Sequence, residues 1–228
     1  HISGYKMKKI KNLVFILFLF ISVALSQASF QNSQQLSTTS SNRSFVIDLD
    51  SDSDDDILFS SSSTETLYWL ENDGSGNYTQ RIINEEGLDI FSIFSIDFDS
   101  DNDNDILLAC KDDDVVCILY NDGSENFTRV NIGTPNGPLH ISAADIDEDD
   151  DLDIMSTSLY DNSVQWYRND GNNSFVRNVV SSNAVGPMSL EAKDIDDDGD
   201  IDLISAGCYD ANNKVAIYFN NGSESFTE

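Results

Sequence analysis

One ten-residue segment, Asp194-Ile195-Asp196-Asp197-Asp198-Gly199-Asp200-Ile201-Asp202-Leu203, is echoed three times upstream, at Asp48, Asp97 and Asp145. Successive starts differ by 49, 48 and 49 residues, so the 228-residue chain is largely an array of one unit. A second marker keeps the same phase: Asn72-Asp73-Gly74, Asn121-Asp122-Gly123, Asn169-Asp170-Gly171 and Asn220-Asn221-Gly222, spaced by 49, 48 and 51 residues. Extra residues around 210–214 stretch the last interval. Chance does not produce two phased markers. A unit of this size cannot bury its own faces and must stack on its neighbours.

Within a unit, short apolar runs bounded by Asp, Asn or Gly predict strands. The third copy shows them over residues 139–144, 154–159, 164–167 and 175–180. Asn169-Asp170-Gly171 suits a tight hairpin and Asp161-Asn162 supplies another turn, because Asn, Asp and Gly tolerate positive φ. Four antiparallel strands in about 48 residues make one propeller blade. No stretch after the N-terminal 26 residues offers a helical period. The expected fold class is therefore all-β, a β-propeller of four-stranded antiparallel blades with about four blades present. Trp69, Ile118, Trp166 and Ile217 hold matched third-strand positions and are expected to fill the layers between blades.

The chain carries 41 Asp and Glu against 12 Lys and Arg, a formal charge of -29, which argues against a nucleic-acid partner. Its 39% hydrophobic and 10% aromatic content suffices for a core, so something must offset the charge that opposes compaction. A bound cation meets that need. In each repeat, carboxylates at positions 1, 3, 5 and 9 of the acidic segment point several oxygens at one centre. They are Asp48, Asp50, Asp52 and Asp56; Asp97, Asp99, Asp101 and Asp105; Asp145, Asp147, Asp149 and Asp153; and Asp194, Asp196, Asp198 and Asp202. Position 7, held by Asp54, Asp103, Asp151 and Asp200, is expected to add a backbone carbonyl. Hard oxygen ligands in a flexible loop suit Ca²⁺ better than Zn²⁺, which prefers nitrogen and sulfur. An EF-hand requires Glu at position 12, where this chain has Phe59, Leu108, Ser156 and Ser205, and it requires flanking helices where this chain has strand patterns. A merely solvated charge run would not keep the alternate spacing four times between apolar strands.

From about residue 45 to 228, the aspartate loop followed by Ile or Leu, the aromatic strand and the Asn-Asp-Gly turn resemble the FG-GAP or VCBS-type repeat, as in the propeller of integrin alpha subunits and many secreted bacterial proteins. The repeats run about 45–92, 93–140, 141–189 and 190–228. The resemblance implies about one Ca²⁺ per repeat, in the loop joining the first two strands of a blade, and an extracellular protein or glycan as partner. Only Gly199 matches the family's glycine at position 6; Ser53, Asn102 and Asp150 stand there in the other copies, and Ser enters the left-handed region least readily of the three. Such rings usually close with about seven blades, so the chain is expected to be a fragment of a larger one. Residues 27–44 form an N-terminal segment in which Ser29-Phe30-Gln31-Asn32 resembles the fourth-strand openings Ser174-Phe175-Val176-Arg177 and Asn126-Phe127-Thr128-Arg129. That stretch is a candidate ring-closing strand.

Residues 1–6 precede Met7 and read as upstream sequence. Residues 7–26 read as a signal peptide: Lys8, Lys9 and Lys11, an apolar run over 13–23, then Ala24 and Ser26 at the cleavage positions. A membrane anchor is the alternative, but the run is short of the about 20 residues a span needs. The mature chain is then secreted, extracellular or at the cell surface, with the periplasm as the bacterial equivalent, and keeps no membrane span. Cys110 and Cys117 flank Asp113-Asp114; a two-residue hairpin there would set them face to face, as a disulfide or as two buried thiols, and Cys208 remains over. Asn42, Asn77, Asn126, Asn172 and Asn221 each open an N-x-[ST] triplet, which turn composition also explains.

The sequence offers no catalytic constellation. Past the leader, His140 is the one histidine, and Ser92 and Ser189 replace it in neighbouring copies; no carboxylate pair stands apart from the loops. The reading is a non-enzymatic, calcium-binding adhesion or binding scaffold. The alternative is the non-catalytic propeller of a secreted polysaccharide-degrading enzyme. Tyr160-Asp161 and Tyr209-Asp210 occupy matching hairpin positions, as ligand contacts or as ordinary turn residues.

Overall fold

The computed structural model describes residues 34–84, 87–171, 173–207 and 214–228. The leader, the Ser29-Phe30-Gln31-Asn32 stretch, Asn172, Cys208 and Tyr209-Asp210 lie outside them. Residues 37–228 make up one compact unit, which holds every strand among the described residues.

Four antiparallel meanders account for the strands. The first blade contains β1 (Arg43–Ile47), β2 (Asp56–Ser61), β3 (Thr66–Asn72) and β4 (Tyr78–Asn84). The second contains β5 (Ile90–Ile96), β6 (Asp105–Cys110), β7 (Val115–Asn121) and β8 (Phe127–Gly133). The third contains β9 (Pro138–Ala144), β10 (Asp153–Ser158), β11 (Ser163–Asn169) and β12 (Phe175–Ser181). The fourth contains β13 (Pro187–Lys193), β14 (Asp202–Gly207), β15 (Val215–Asn220) and β16 (Phe226–Thr227). None of the described residues is helical, and no helix among them is long and apolar enough to cross a membrane. The first strands β1, β5, β9 and β13 neighbour one another in succession, so they line the inside of an open arc of blades.

The meander fixes which turns meet. The loop between first and second strands and the turn between third and fourth strands fall at the same end of a blade, so each aspartate loop sits beside its own Asn-x-Gly turn. The remaining hairpin and the link to the next blade occupy the opposite end.

Burial is between blades. Leu58 and Trp69 of the first blade share a core with Leu108 and Cys117 of the second; Leu107 and Ile118 of the second with Ile154 and Tyr167 of the third; Met155 and Trp166 of the third with Leu203 and Tyr218 of the fourth. Period-2 alternation sends successive side chains of one strand to the two faces, so each blade serves two cores. Leu67, Val116 and Val164 hold one matched position and are fully buried, whereas the fourth-blade equivalent, Val215, is 72% exposed and Ile217 is half-buried. The expected inter-blade role thus holds for Trp69, Ile118 and Trp166, and the corresponding face of the fourth blade lies open.

A two-residue hairpin at Asp113-Asp114 would set Cys110 opposite Cys117, and the register shows a different turn. The connection spans residues 111–114 and not two, so Cys110 pairs with Val115 and Cys117 with Leu108. Both cysteines are buried free thiols.

Truncating Ile118 to Ala should destabilise the protein by about 2–5 kcal/mol, and Ile217→Ala by clearly less, because the first empties a closed inter-blade core and the second an open face. Denaturant midpoints of the two variants measure this; equal losses would contradict the assignment of cores.

Candidate metal centres

Each aspartate loop is wound by its own hydrogen bonds. The position-1 carboxylate accepts from the amides that follow: Asp52 and Ser53 N–H donate to Asp48 at 3.1 and 2.9 Å, Asp101 and Asn102 to Asp97 at 3.1 Å, Asp149 and Asp150 to Asp145 at 3.1 Å, and Gly199 to Asp194 at 3.1 Å. This winding places position 6 in the left-handed region in all four copies, Ser53 (φ 76°), Asn102 (75°), Asp150 (73°) and Gly199 (104°). Ser53 therefore adopts the conformation its type disfavours, at a cost of about 1 kcal/mol. Position 4 is left-handed as well, at Ser51, Ser100, Glu148 and Asp197, a feature that no glycine signals in the sequence.

The carboxylates converge in threes. Asp48, Asp50 and Asp56; Asp97, Asp99 and Asp101; Asp145, Asp147 and Asp153; and Asp194, Asp196 and Asp202 each bring one oxygen per residue within 4.8 Å of the others. Asp105 and the position-5 residues Asp52, Asp149 and Asp198 stand outside these groups of three. Those three residues and Asp101 accept the position-7 amides at 2.9–3.0 Å. The position-7 residues Asp54, Asp103, Asp151 and Asp200 also lie outside the groups. The side chains of Asp54, Asp103 and Asp200 lie against Gly74, Gly123 and Gly222, where a Cβ would collide with the carboxylate.

Position 9 does more than the spacing revealed. Asp56, Asp105, Asp153 and Asp202 are fully buried. One oxygen of each accepts the position-2 amide of its loop, from Leu49, Phe98, Ile146 and Ile195 at 3.0–3.1 Å. The other accepts the amide of the turn asparagine, from Asn72, Asn121, Asn169 and Asn220 at 2.7–2.8 Å. One side chain thus staples the loop to the hairpin turn.

Electrostatically the clusters favour a cation. Burial, reinforced by neighbouring carboxylates, pushes the acids of Asp50, Asp99, Asp147 and Asp196 upward. Burial also raises Asp56, takes Asp105 to about 6 and Asp153 to about 7, against the pull of the two amide hydrogen bonds on each. One oxygen each of Asp147 and Asp194 is buried with no hydrogen-bond partner. Such orphaned oxygens, in an all-oxygen donor set free of nitrogen and sulfur, fit a hard divalent ion.

An FG-GAP-like repeat model matches residues 48–108, 97–156 and 151–205. The chain belongs to this family. No curated protein sequence matches it. Among solved structures, an Agrocybe aegerita lectin described for its specific recognition of non-reducing terminal N-acetylglucosamine is similar, with a TM-score of 0.59 and 18% identity over 84% of this chain and 52% of the lectin chain. That likeness shows a shared propeller fold, and this chain spans about half the length of the lectin chain.

Other residues singled out in the sequence have structural settings. His140 is half-buried, and burial lowers its pKa, which favours the neutral imidazole. Asp161 accepts the Asn136 amide at 3.0 Å, while Tyr160 is 57% exposed at the end opposite the FG-GAP loops. Asn77 and Asn126 donate to the turn carboxylates of Asp73 and Asp122 at 2.7 and 3.0 Å, which gives both triplets a turn role.

The raised acids set a pH dependence. A folded-state pKa near 6 or 7 means that the neutral carboxyl is favoured in the folded chain. Its stabilising contribution is full below the ordinary carboxylate range and is lost as pH rises through 6 and then 7. In chelator, Tm should fall between pH 5 and pH 8, and saturating divalent metal should remove most of that fall. A chelated Tm that rises over the same range would refute the electrostatic account.

Proposed function

We propose that this FG-GAP-like chain is an exported, calcium-stabilised propeller module that acts as a non-catalytic binding or adhesion scaffold for protein or glycan partners. The observation that carries the calcium reading is the fourfold cluster of three carboxylates with oxygens within 4.8 Å. Calcium, when bound, would supply the divalent charge that offsets the mutual repulsion of these carboxylates. The chain's own part is to wind each loop on its position-1 carboxylate and to pin it through position 9. The leader-like residues 7–26 support export, and an oxidising, calcium-rich exterior suits loops of this kind.

Partner recognition is assigned to the end opposite the ion loops, where Tyr160 is exposed on a hairpin braced by Asp161. The similar lectin's recognition of a terminal sugar supports a glycan as one class of partner, with protein as the other.

At a free concentration about a hundredfold above Kd, one site contributes about 2.7 kcal/mol, which in a chain of this size is about 5 °C or more in Tm. Thermal unfolding in calcium and then in excess EDTA should show at least that loss, with about four ions by titration and poor rescue by Mg²⁺, which demands tighter octahedral geometry. An unchanged Tm would remove the calcium reading. A glycan array and a cell-surface binding assay, run on the wild type and on Tyr160→Ala, test the partner class. Binding that the variant leaves intact would move the partner site elsewhere.

A further inference from the structure

Every blade's turn asparagine donates Nδ2 to the position-8 carbonyl of its own ion loop: Asn72 to Asp55 (3.0 Å), Asn121 to Asn104 (3.3 Å), Asn169 to Leu152 (3.2 Å) and Asn220 to Ile201 (3.2 Å). Two of the four reach further. Asn121 Nδ2 also donates to the Leu49 carbonyl at 3.2 Å, and Asn220 Nδ2 to the Ile146 carbonyl at 3.3 Å. Those carbonyls belong to the preceding blade, at position 2 of its ion loop, between the position-1 and position-3 carboxylates. The first loop receives a second clasp from Asn104, whose Nδ2 donates to the Asp48 carbonyl at 2.7 Å.

The boundary between the second and third blades is built differently. Among the described residues Asn169 makes no bond to the second loop. There the Phe98 ring, at loop position 2, meets Tyr120 at 6.4 Å and Phe175 at 6.1 Å between centroids. The fourth loop receives no clasp from any described residue. The alternation recurs in the ion pairs: Glu125 and Glu224, matched turn residues, join Arg81 and Arg168 (2.8 Å for the latter) across the first and third boundaries. Clefts of about 290 and 240 Å³ at the same two boundaries open onto Asp50 and Asp147, so the clasped loops keep a route for an ion.

We propose that the four loops form two affinity classes, with calcium held more tightly in the first and third loops because the next blade positions them. This rests on the calcium reading above. Asn121 and Asn220 are positioning residues that do not touch the ion. They fix the peptide between two ligands before the ion arrives, which removes part of the ordering cost of binding. The net worth of one such hydrogen bond corresponds to about three- to tenfold in affinity. By linkage, an ion in a clasped loop tightens the boundary to the next blade by the same factor.

Calorimetric calcium titration of the full chain should give two phases of about two ions each. Asn121→Ser and Asn220→Ser, each keeping a short turn acceptor, should weaken one tight site about three- to tenfold. The own-loop bonds of Asn121 and Asn220 go to the second and fourth loops, so a weakened tight site in these variants reads the clasp alone, whereas Asn169→Ser, which loses only its bond to the third loop, should leave the first loop's ion untouched. The wild-type isotherm carries the test even where a variant folds poorly. Four equivalent sites, or tight sites that neither Asn121→Ser nor Asn220→Ser weakens, would overturn the two classes and leave the calcium reading standing. No calcium uptake would instead overturn that reading.

Discussion

Each blade depends on one buried carboxylate. Asp56, Asp105, Asp153 and Asp202 are fully buried, and each satisfies two backbone amides, one from the aspartate loop and one from the hairpin turn beside it. Without that side chain both amides would lose their partner in a buried site, at a cost of about 1–3 kcal/mol per donor. With it, the loop and turn become one rigid corner, and the remaining loop carboxylates are delivered to fixed places. The same burial makes the carboxylate an expensive anion, which ties the corner to whatever positive charge the loop can hold. Fold and ion loop are therefore one problem.

The meander then separates two kinds of chemistry along the strands. At one end lie the ion loops and the turns that brace them. At the other, left-handed turn residues reach to the next blade: Glu65 offers its carbonyl to the Leu88 amide at 3.2 Å, Asp114 its carboxylate to Gly137 at 2.7 Å, and Asn162 its amide oxygen to Gly186 at 3.2 Å. Between these polar ends the blades meet through aliphatic and aromatic layers. A chain with 41 acidic residues can keep a dry core because so many of them are confined to the loops at one end. This division also keeps the aspartate-loop carboxylates away from the far end.

The repeat period made the blades legible in the sequence. In the third copy, runs at 139–144, 154–159, 164–167 and 175–180 fall within or one residue beyond β9 to β12, since alternation and turn residues are local signals. What stayed hidden depends on register and on contacts between units. The offset of Cys110 from Cys117 follows from a four-residue connection that reads as a two-residue turn in the Asp pair alone. The left-handed backbone at Ser51, Ser100, Glu148 and Asp197 is imposed by loop winding, and neither Ser nor Glu signals it. The position-9 staple looks in sequence like one more ligand, because its burial comes from the neighbouring strands.

Differences among near-identical units carry information that the shared pattern cannot. Position 2 of the ion loop is Leu49, Phe98 and Ile146 at the three boundaries, and the turn asparagine of the next blade reaches its carbonyl beside Leu and Ile but not beside Phe. Where Phe98 stands, an aromatic layer with Tyr120 and Phe175 occupies the boundary in place of a backbone clasp. Apolar packing is non-directional and tolerates sliding, whereas a carbonyl clasp fixes the register of two neighbouring loops. An array that alternates the two has two boundaries where a hydrogen bond reaches the neighbouring aspartate loop and one where aromatic packing takes its place. On the proposed calcium reading, the ion-dependent stiffness of such an arc would reside at the joints between the first and second blades and between the third and fourth.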